Sequence, residues 1–376
     1  MFHINLLLYF CFVIKLCFKY RLFFAFFFIF KIGFAQDDFH NLGIKGTFHH
    51  GFIAPHKPLV NEVIKGHTQI FELSLYKNTV GERQWEQYFN NPKIGISTMI
   101  INTGNDESLG KAFGILPFVE IPLNQWKIKW NLKFGFGVGY IEKPFDRETN
   151  YKNLTIGSHF NALIFVNSLW NLPINERFNT SLGLSLTHFS NGSLKRPNLG
   201  INLLSVNCGI GYNFGKKKQL VPFNEVNKEK KWNSFVAVSG GVKEIPPIGG
   251  KKYLVYSFAY QWIKTTSNKS GFGGGTDVFY NTSLEPLIKR VQNEDKGTIG
   301  NFRFGIHGAY QLTLGKLTLQ LQVGGYAYTA YKDNGNIYSK LNSRYFVSDK
   351  LFLNLSLKTH YAVADFIEYG IGFKLK

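Results

Sequence analysis

The sequence predicts an all-β chain: a closed antiparallel transmembrane β-barrel of about 16 strands, within a range of 12–16. Three observations carry that expectation. Apolar and polar residues alternate with period two along most of the chain, in stretches longer than the usual globular strand. Only 18% of residues are charged, while Phe numbers 37, Tyr 19 and Gly 38, a balance that excludes intrinsic disorder and suits strands with two unlike faces. Beyond residue 35 there is no run of 18 or more apolar residues, so a bundle of membrane-crossing helices is excluded.

Residues 1–35 read as an export signal. Lys19, Tyr20 and Arg21 precede the apolar run Leu22 to Phe30, and Gly33-Phe34-Ala35 offers a small-x-small cleavage site before Gln36. Both Cys11 and Cys17 fall in this segment, which leaves Cys208 alone in the mature chain, without an intramolecular disulfide or a cysteine-based metal site. Cleavage would leave 39 basic against 24 acidic residues, a charge of +15. Export and the lack of zinc-finger, RNP-like or basic-helix patterns disfavour nucleic acid as the partner and favour an anionic lipid surface.

Residues 36–376 are expected to form the barrel. Strands are expected to start near 42, 64, 93, 110, 126, 156, 178, 199, 232, 252, 272, 301, 316, 340, 350 and 365. The stretch 126–140 shows why. Trp126, Ile128, Trp130, Leu132, Phe134, Phe136, Val138 and Tyr140 share one face, with Lys127, Lys129, Asn131, Lys133 and three glycines on the other. The same parity sets Phe302, Phe304 and Ile306 against Arg303 and His307, and Leu351, Leu353, Leu355 and Leu357 against Asn354, Ser356 and Lys358. In lipid every backbone polar group must pair, so such a sheet must close. A single barrel is the preferred arrangement, although the basic linker 216–231 could divide the strands into two sheets. Lys127, Lys129 and Lys133 are expected to fill the interior; a pore lined by them is the alternative.

The stretch 182–202 carries the chemistry. Leu182, Leu184, Leu186, His188 and Ser190 share one side of a strand, so an apolar outer face ends in an imidazole and a hydroxyl. On the next strand Leu204, Val206, Cys208 and Ile210 are apolar, and Asn202 continues that side toward the loop. If Ser190 lies opposite Gly200, His188 lies opposite Asn202, with Cβ atoms about 4.5–5.5 Å apart. Serine becomes a nucleophile when a base takes its proton, histidine is the usual base, and a third group must orient the imidazole. Asn191 and the Gly192 N–H are placed to stabilise an oxyanion. Lys195 and Arg196 can pair with phosphate on a head group, though solvated loop charge is the simpler reading of both. On spacing alone, an ordinary polar strand end at the membrane interface fits the same residues.

His188-Phe-Ser190-Asn191, followed by Pro197-Asn198-x-Gly200-Ile201, resembles the signature of outer-membrane lipid A 3-O-deacylases, the PagL-type acyloxyacyl hydrolase family. The resemblance covers about 30 residues around 182–214; Trp85 to Pro92 and the C-terminal half resemble longer Bacteroidetes-like members. It implies a β-barrel in the bacterial outer membrane, Ser190 as nucleophile, His188 as general base, Asn191 and backbone N–H groups at the oxyanion, and Asn198 in support of the loop. The implied reaction releases a 3-hydroxy fatty acid from lipid A of lipopolysaccharide, with no metal or cofactor. Two departures stand out. The third catalytic position, a glutamate in short members, is Asn202 here, and the chain is roughly twice as long. A non-enzymatic porin and a catalytically silent lipopolysaccharide-binding barrel are therefore the competing readings. The sequence says nothing of oligomeric state.

Overall fold

A computed structural model describes residues 40–215, 219–223, 230–361 and 363–375; the expected export signal lies outside the described residues. The described residues form sixteen strands: β1 (Leu42–Ile53), β2 (Thr68–Asn78), β3 (Lys93–Asn102), β4 (Lys111–Pro122), β5 (Lys129–Ile141), β6 (Phe160–Pro173), β7 (Phe178–Ser190), β8 (Ile201–Asn213), β9 (Trp232–Glu244), β10 (Lys252–Thr265), β11 (Ser270–Asn281), β12 (Phe302–Leu314), β13 (Leu317–Thr329), β14 (Ile337–Phe346), β15 (Leu351–His360) and β16 (Val363–Lys374). Two short helices, α1 (Gln84–Tyr88) and α2 (Leu284–Leu287), sit in connections. Each strand begins within four residues of its expected start.

Closure differs from the preferred expectation. The sixteen strands close as two antiparallel barrels of eight instead of one barrel of sixteen. The outer edge of β8 is taken by β1, from Gly43 opposite Asn213 to Ile53 opposite Leu203, so β9 cannot add to it. The edge of β9 is taken by β16 in the same way, from Phe235 opposite Lys374 to Gly241 opposite Glu368. The basic linker after β8 is thus a boundary between two closed sheets.

The alternation decides which residues face lipid. In β7, Leu182, Leu184 and Leu186 are exposed while Gly183, Ser185 and Thr187 are buried in the interior. The same parity runs through the second barrel, where Ile306 is 63% exposed and Arg303 1%. A greasy belt outside and polar side chains inside is the pattern lipid requires.

Eight strands leave an interior that side chains can fill. In the first barrel Lys133 pairs with Glu72 and donates to Ser74 and Ser97, each at 3.0 Å, and Glu72 also meets His49 at 3.1 Å. In the second, Lys340 bridges Glu368 at 2.7 Å and Asp277 at 3.6 Å, and Lys358 pairs with Asp365 at 2.9 Å. Buried charges must be paired, and these are. Of the three lysines expected inside, only Lys133 is there. Lys127 lies exposed in the turn before β5 and Lys129 is exposed at its first residue, because the strand begins three residues later than the alternation suggests.

The outer half of the first barrel is filled differently. Ile53, Ile70, Ile101, Leu163, Phe165, Phe189, Ile201 and Leu203 meet the loop residues Val60, Val63 and Ile156 in one buried apolar cluster. These loop residues explain the two strand starts read too early, near 64 and 156. Their apolar character marks a plug at the barrel mouth.

The barrels touch at both ends. At the end opposite the plug, Trp85, Tyr88 and Phe89 pack against Leu312, Leu314 and Leu319 of the second barrel. At the plug end, the β7–β8 loop meets the end of β9 and the start of β16.

Candidate functional site

The pairing of β7 with β8 sets the site. Phe189 lies opposite Ile201 and His188 opposite Asn202, which is the register that alternation and the loop length imply. His188 and Asn202 stand on the outer face, and His188 Nδ1 is 2.6 Å from Asn202 Oδ1. Ser190, two residues on and on the same face, is only 7% exposed, whereas Leu182 at the other end of the row is 61% exposed. The apolar wall therefore turns polar, and becomes covered, at the plug end. Behind it Phe189 anchors the strand in the plug.

Gly200 holds open the space beside the imidazole. Its φ of +82° favours glycine, and a Cβ there would lie 3.0 Å from His188 Cε1 and 3.7 Å from Nε2. The Cε1–Nε2 edge of the ring thus lies beside Gly200, with Nδ1 turned to Asn202. No hydrogen bond joins His188 to Ser190 in this structure; such contacts commonly tighten only with substrate bound.

A residue that sequence reasoning missed completes the row. His56 Nδ1 lies 3.1 Å from Asn202 Nδ2, and His56 Nε2 lies 2.9 Å from the Leu199 carbonyl oxygen. The polarity of this chain can be worked out from the carbonyl end. A carbonyl only accepts, so His56 Nε2 carries the proton and, in the neutral ring, Nδ1 accepts. Asn202 Nδ2 then donates to His56, which turns Oδ1 toward His188. An amide oxygen also only accepts, so His188 Nδ1 is the protonated nitrogen and Nε2 is left with a free lone pair. The signal for His56 was parity: Phe48, His50 and Phe52 run outward along β1, and Ala54 and His56 continue that parity beyond its end. Placing it beside Asn202 requires knowing that β1 closes on β8.

The loop residues divide by what they bind. The Asn191 N–H donates to Asn198 Oδ1 at 3.0 Å, and Asn191 Nδ2 donates to Ser158 Oγ and the Lys195 carbonyl, both at 2.8 Å. These donors hold the loop, so Asn191 cannot offer them to an oxyanion without releasing it. Asn198 is thereby tied to Asn191 across the loop. Of the donors expected at the oxyanion, the Gly192 N–H is the one not engaged by the described residues. Ser158 is a second residue the sequence did not single out; it pins Asn191 from the β5–β6 loop. Lys195 is exposed and Arg196 half-buried.

The second barrel reaches into this loop. The Glu244 N–H donates to the Ser193 carbonyl at 2.8 Å, and the Arg196 N–H donates to Glu244 Oε2 at 3.3 Å. Ser193 Oγ donates to the Ala364 carbonyl at 3.0 Å, and Gly192, with a φ of +60°, packs against Ile367. The loop after the strand carrying His188 and Ser190 is thus held from both barrels.

Among solved structures, an outer membrane protein of Acinetobacter baumannii matches with 8% identity over 89% of this chain and 97% of its own, at a TM-score of 0.16. Two engineered variants of the Rhodopseudomonas blastica porin match with 9% identity over 89% of this chain and 99% of theirs, at TM-scores of 0.19. Scores this low do not establish a common arrangement. No curated protein shows a significant match. Family models are decisive instead. Residues 69–212 match the model described as lipid A 3-O-deacylase (PagL), and residues 232–376 match acyloxyacyl hydrolase, C-terminal domain. The gap between the two matches falls on the linker between the barrels. The chain belongs to the lipid A 3-O-deacylase (PagL) family and is a barrel protein of the bacterial outer membrane.

Proposed function

We propose that this protein hydrolyses a 3-hydroxyacyl ester of lipid A in lipopolysaccharide, on the outer wall of its first barrel, with Ser190 as nucleophile and His188 as general base. The observation that supports the reading is the ordered row from the Leu199 carbonyl through His56 and Asn202 to His188, which leaves His188 Nε2 with a free lone pair two residues from Ser190 on the same strand face. The protein needs no metal or cofactor for this chemistry.

The Ser190 hydroxyl attacks the acyl carbonyl carbon while its proton passes to His188 Nε2. The negative charge on the carbonyl oxygen is met by backbone donors of the loop, with the Gly192 N–H foremost. When the tetrahedral intermediate collapses, the bond to the sugar oxygen breaks and His188 returns its proton to that oxygen. Water then attacks the acyl-serine, gives its proton to His188, and the 3-hydroxy fatty acid leaves as Ser190 Oγ recovers the proton. Asn202 holds the imidazole in the required tautomer. As a neutral amide it cannot offset the imidazolium charge as a carboxylate does, so this site relies on orientation.

The test is mass spectrometry of lipid A from a lipopolysaccharide-bearing host that expresses the protein. Wild type should remove one acyl chain, and Ser190→Ala should reduce the rate about 10³-fold or more. Equal acyl loss from both proteins would defeat the assignment. Lipopolysaccharide binding without hydrolysis by wild type would favour the silent barrel.

A further inference from the structure

Three arginines converge on one short segment at the plug end, and none has a carboxylate within ion-pair distance among the described residues. Arg147, from the β5–β6 loop, donates to the Ile248 carbonyl, and Arg290, from the β11–β12 loop, donates to the Pro246 carbonyl at 2.5 Å. Arg196, from the β7–β8 loop, is tied through its backbone N–H to Glu244 at the end of β9. Two come from the first barrel and one from the second, and all meet at residues 244–248. One carboxylate is close: Glu244 accepts from the N–H groups of Arg196 and Gly249, and its charge acts on the Arg196 guanidinium, so a single negative charge stands against three positive ones. Asp146, next to Arg147 in sequence, accepts from Glu148 and Thr149.

Like charges gathered at a lipid–water boundary are costly unless an anion joins them. Each guanidinium has five N–H donors, and the two carbonyl contacts occupy few of them. Those contacts fix the planes of Arg147 and Arg290 in advance, which lowers the entropy lost when a phosphate oxygen binds. Arg196 stands in the same loop as Gly192 and lies six residues beyond Ser190. A lipid whose ester lies at Ser190 would carry its head group toward this rim.

We propose that Arg147, Arg196 and Arg290 form a phosphate-binding subsite, built jointly by the two barrels, for the phosphorylated head group of the lipid substrate. The second barrel then supplies substrate recognition as well as support for the loop. The inference rests on the lipid A deacylase reading, and its test separates the two.

Purified full-length Ser190→Ala protein, which cannot turn over under that reading, would be titrated with vesicles containing bis-phosphorylated lipid A, with vesicles of dephosphorylated lipid A, and with inorganic phosphate. The expected result is at least a tenfold preference for the phosphorylated lipid. Arg147→Gln/Arg290→Gln, which removes two charges while keeping side-chain donors for the carbonyls, should abolish that preference. In the active protein the same pair should raise KM for phosphorylated lipid about tenfold, leave kcat within twofold, and leave the dephosphorylated lipid unaffected. Arg290→Lys alone should retain part of the preference. A preference that survives in the double variant, or its absence in the parent, overturns the subsite. Inorganic phosphate binding as tightly as the lipid overturns the assignment to a lipid head group. Binding preference without any deacylation by wild type would instead defeat the enzyme reading and leave the subsite standing.

Discussion

The two barrels are built alike, yet their seventh strands end differently. In the first, β7 carries Leu182, Leu184, Leu186, His188 and Ser190 outward, and its neighbour presents Asn202 opposite His188. In the second, β15 carries Leu351, Leu353, Leu355, Leu357 and Thr359 outward, and its neighbour presents Ala364 opposite Thr359. Register, parity and closure are shared. The imidazole, the hydroxyl and the amide are not. Under the proposed reading, chemistry is a property of three or four side chains at one strand end, which the barrel merely delivers to the membrane surface. The interiors differ in a matching way. Behind His188 the first barrel is packed with an apolar plug, whereas behind Thr359 the second holds Lys243, Lys358, His360 and Asp365. A rigid hydrocarbon backing suits a wall that must hold an imidazole in place.

The largest expected effects are on stability, and they sharpen this contrast. Lys133→Met leaves Glu72 buried with only His49 and two hydroxyls, and Lys340→Met leaves Glu368 buried with only the hydroxyls of Ser257 and Ser356, while Asp277 keeps His307 and Tyr338. Breaking a buried pair from one side costs about 3–5 kcal/mol. Urea unfolding in lipid should show a loss of that size for each. Hydrolysis per folded molecule should fall for Lys133→Met, whose barrel carries the site, and stay near wild type for Lys340→Met. Equal losses of activity would mean that the two barrels act as one mechanical unit.

Next comes the row behind the base. Asn202→Ala removes the acceptor that fixes the His188 tautomer and should lower kcat about 100-fold, less than the roughly 10⁴-fold lost when a charged orienting carboxylate is replaced, because the amide sets orientation alone. His56→Ala acts one step further away and should cost about tenfold. The double variant should cost little more than Asn202→Ala alone, because residues in one hydrogen-bond chain are not additive. Additive losses would show that His56 works independently of Asn202.

Much of this was legible in the sequence. Period-two alternation placed all sixteen strands, because a wall between lipid and a polar interior forces unlike residues onto alternate positions. The same alternation, with the loop after Ser190, set His188 against Asn202. Closure was not legible. Each strand pairs with its sequence neighbour in either arrangement, and the choice of β1 or β9 as the partner of β8 leaves no mark on local parity. His56 was hidden for the same reason, since its place beside Asn202 depends on β1 closing on β8. Ile64 and Ile156 were misread because an apolar residue in a plugging loop looks like one on a strand. Asn191 looked like an oxyanion donor because its commitments, to Ser158 and to the Lys195 carbonyl, are made across loops that pattern cannot fold.

The smallest expected effect is no effect, and it tests whether the strand end suffices. Thr359→His with Ala364→Asn would place an imidazole opposite an amide on the outward face of the second barrel, in the register of His188 and Asn202. In a Ser190→Ala background this protein should leave lipid A at its full mass. Only two residues separate β15 from β16. This connection is too short to reproduce the groups beyond His188 in the first barrel: a serine on the same face, the free Gly192 N–H, and a loop pinned by Asn198 and Ser158. Two further groups of the first barrel, His56 and the Leu199 carbonyl, also have no counterpart placed by this graft, so the imidazole tautomer would be unset. Measurable deacylation from the graft would show that an imidazole and an amide on a greasy wall are enough, and that the loop held between the barrels serves only recognition.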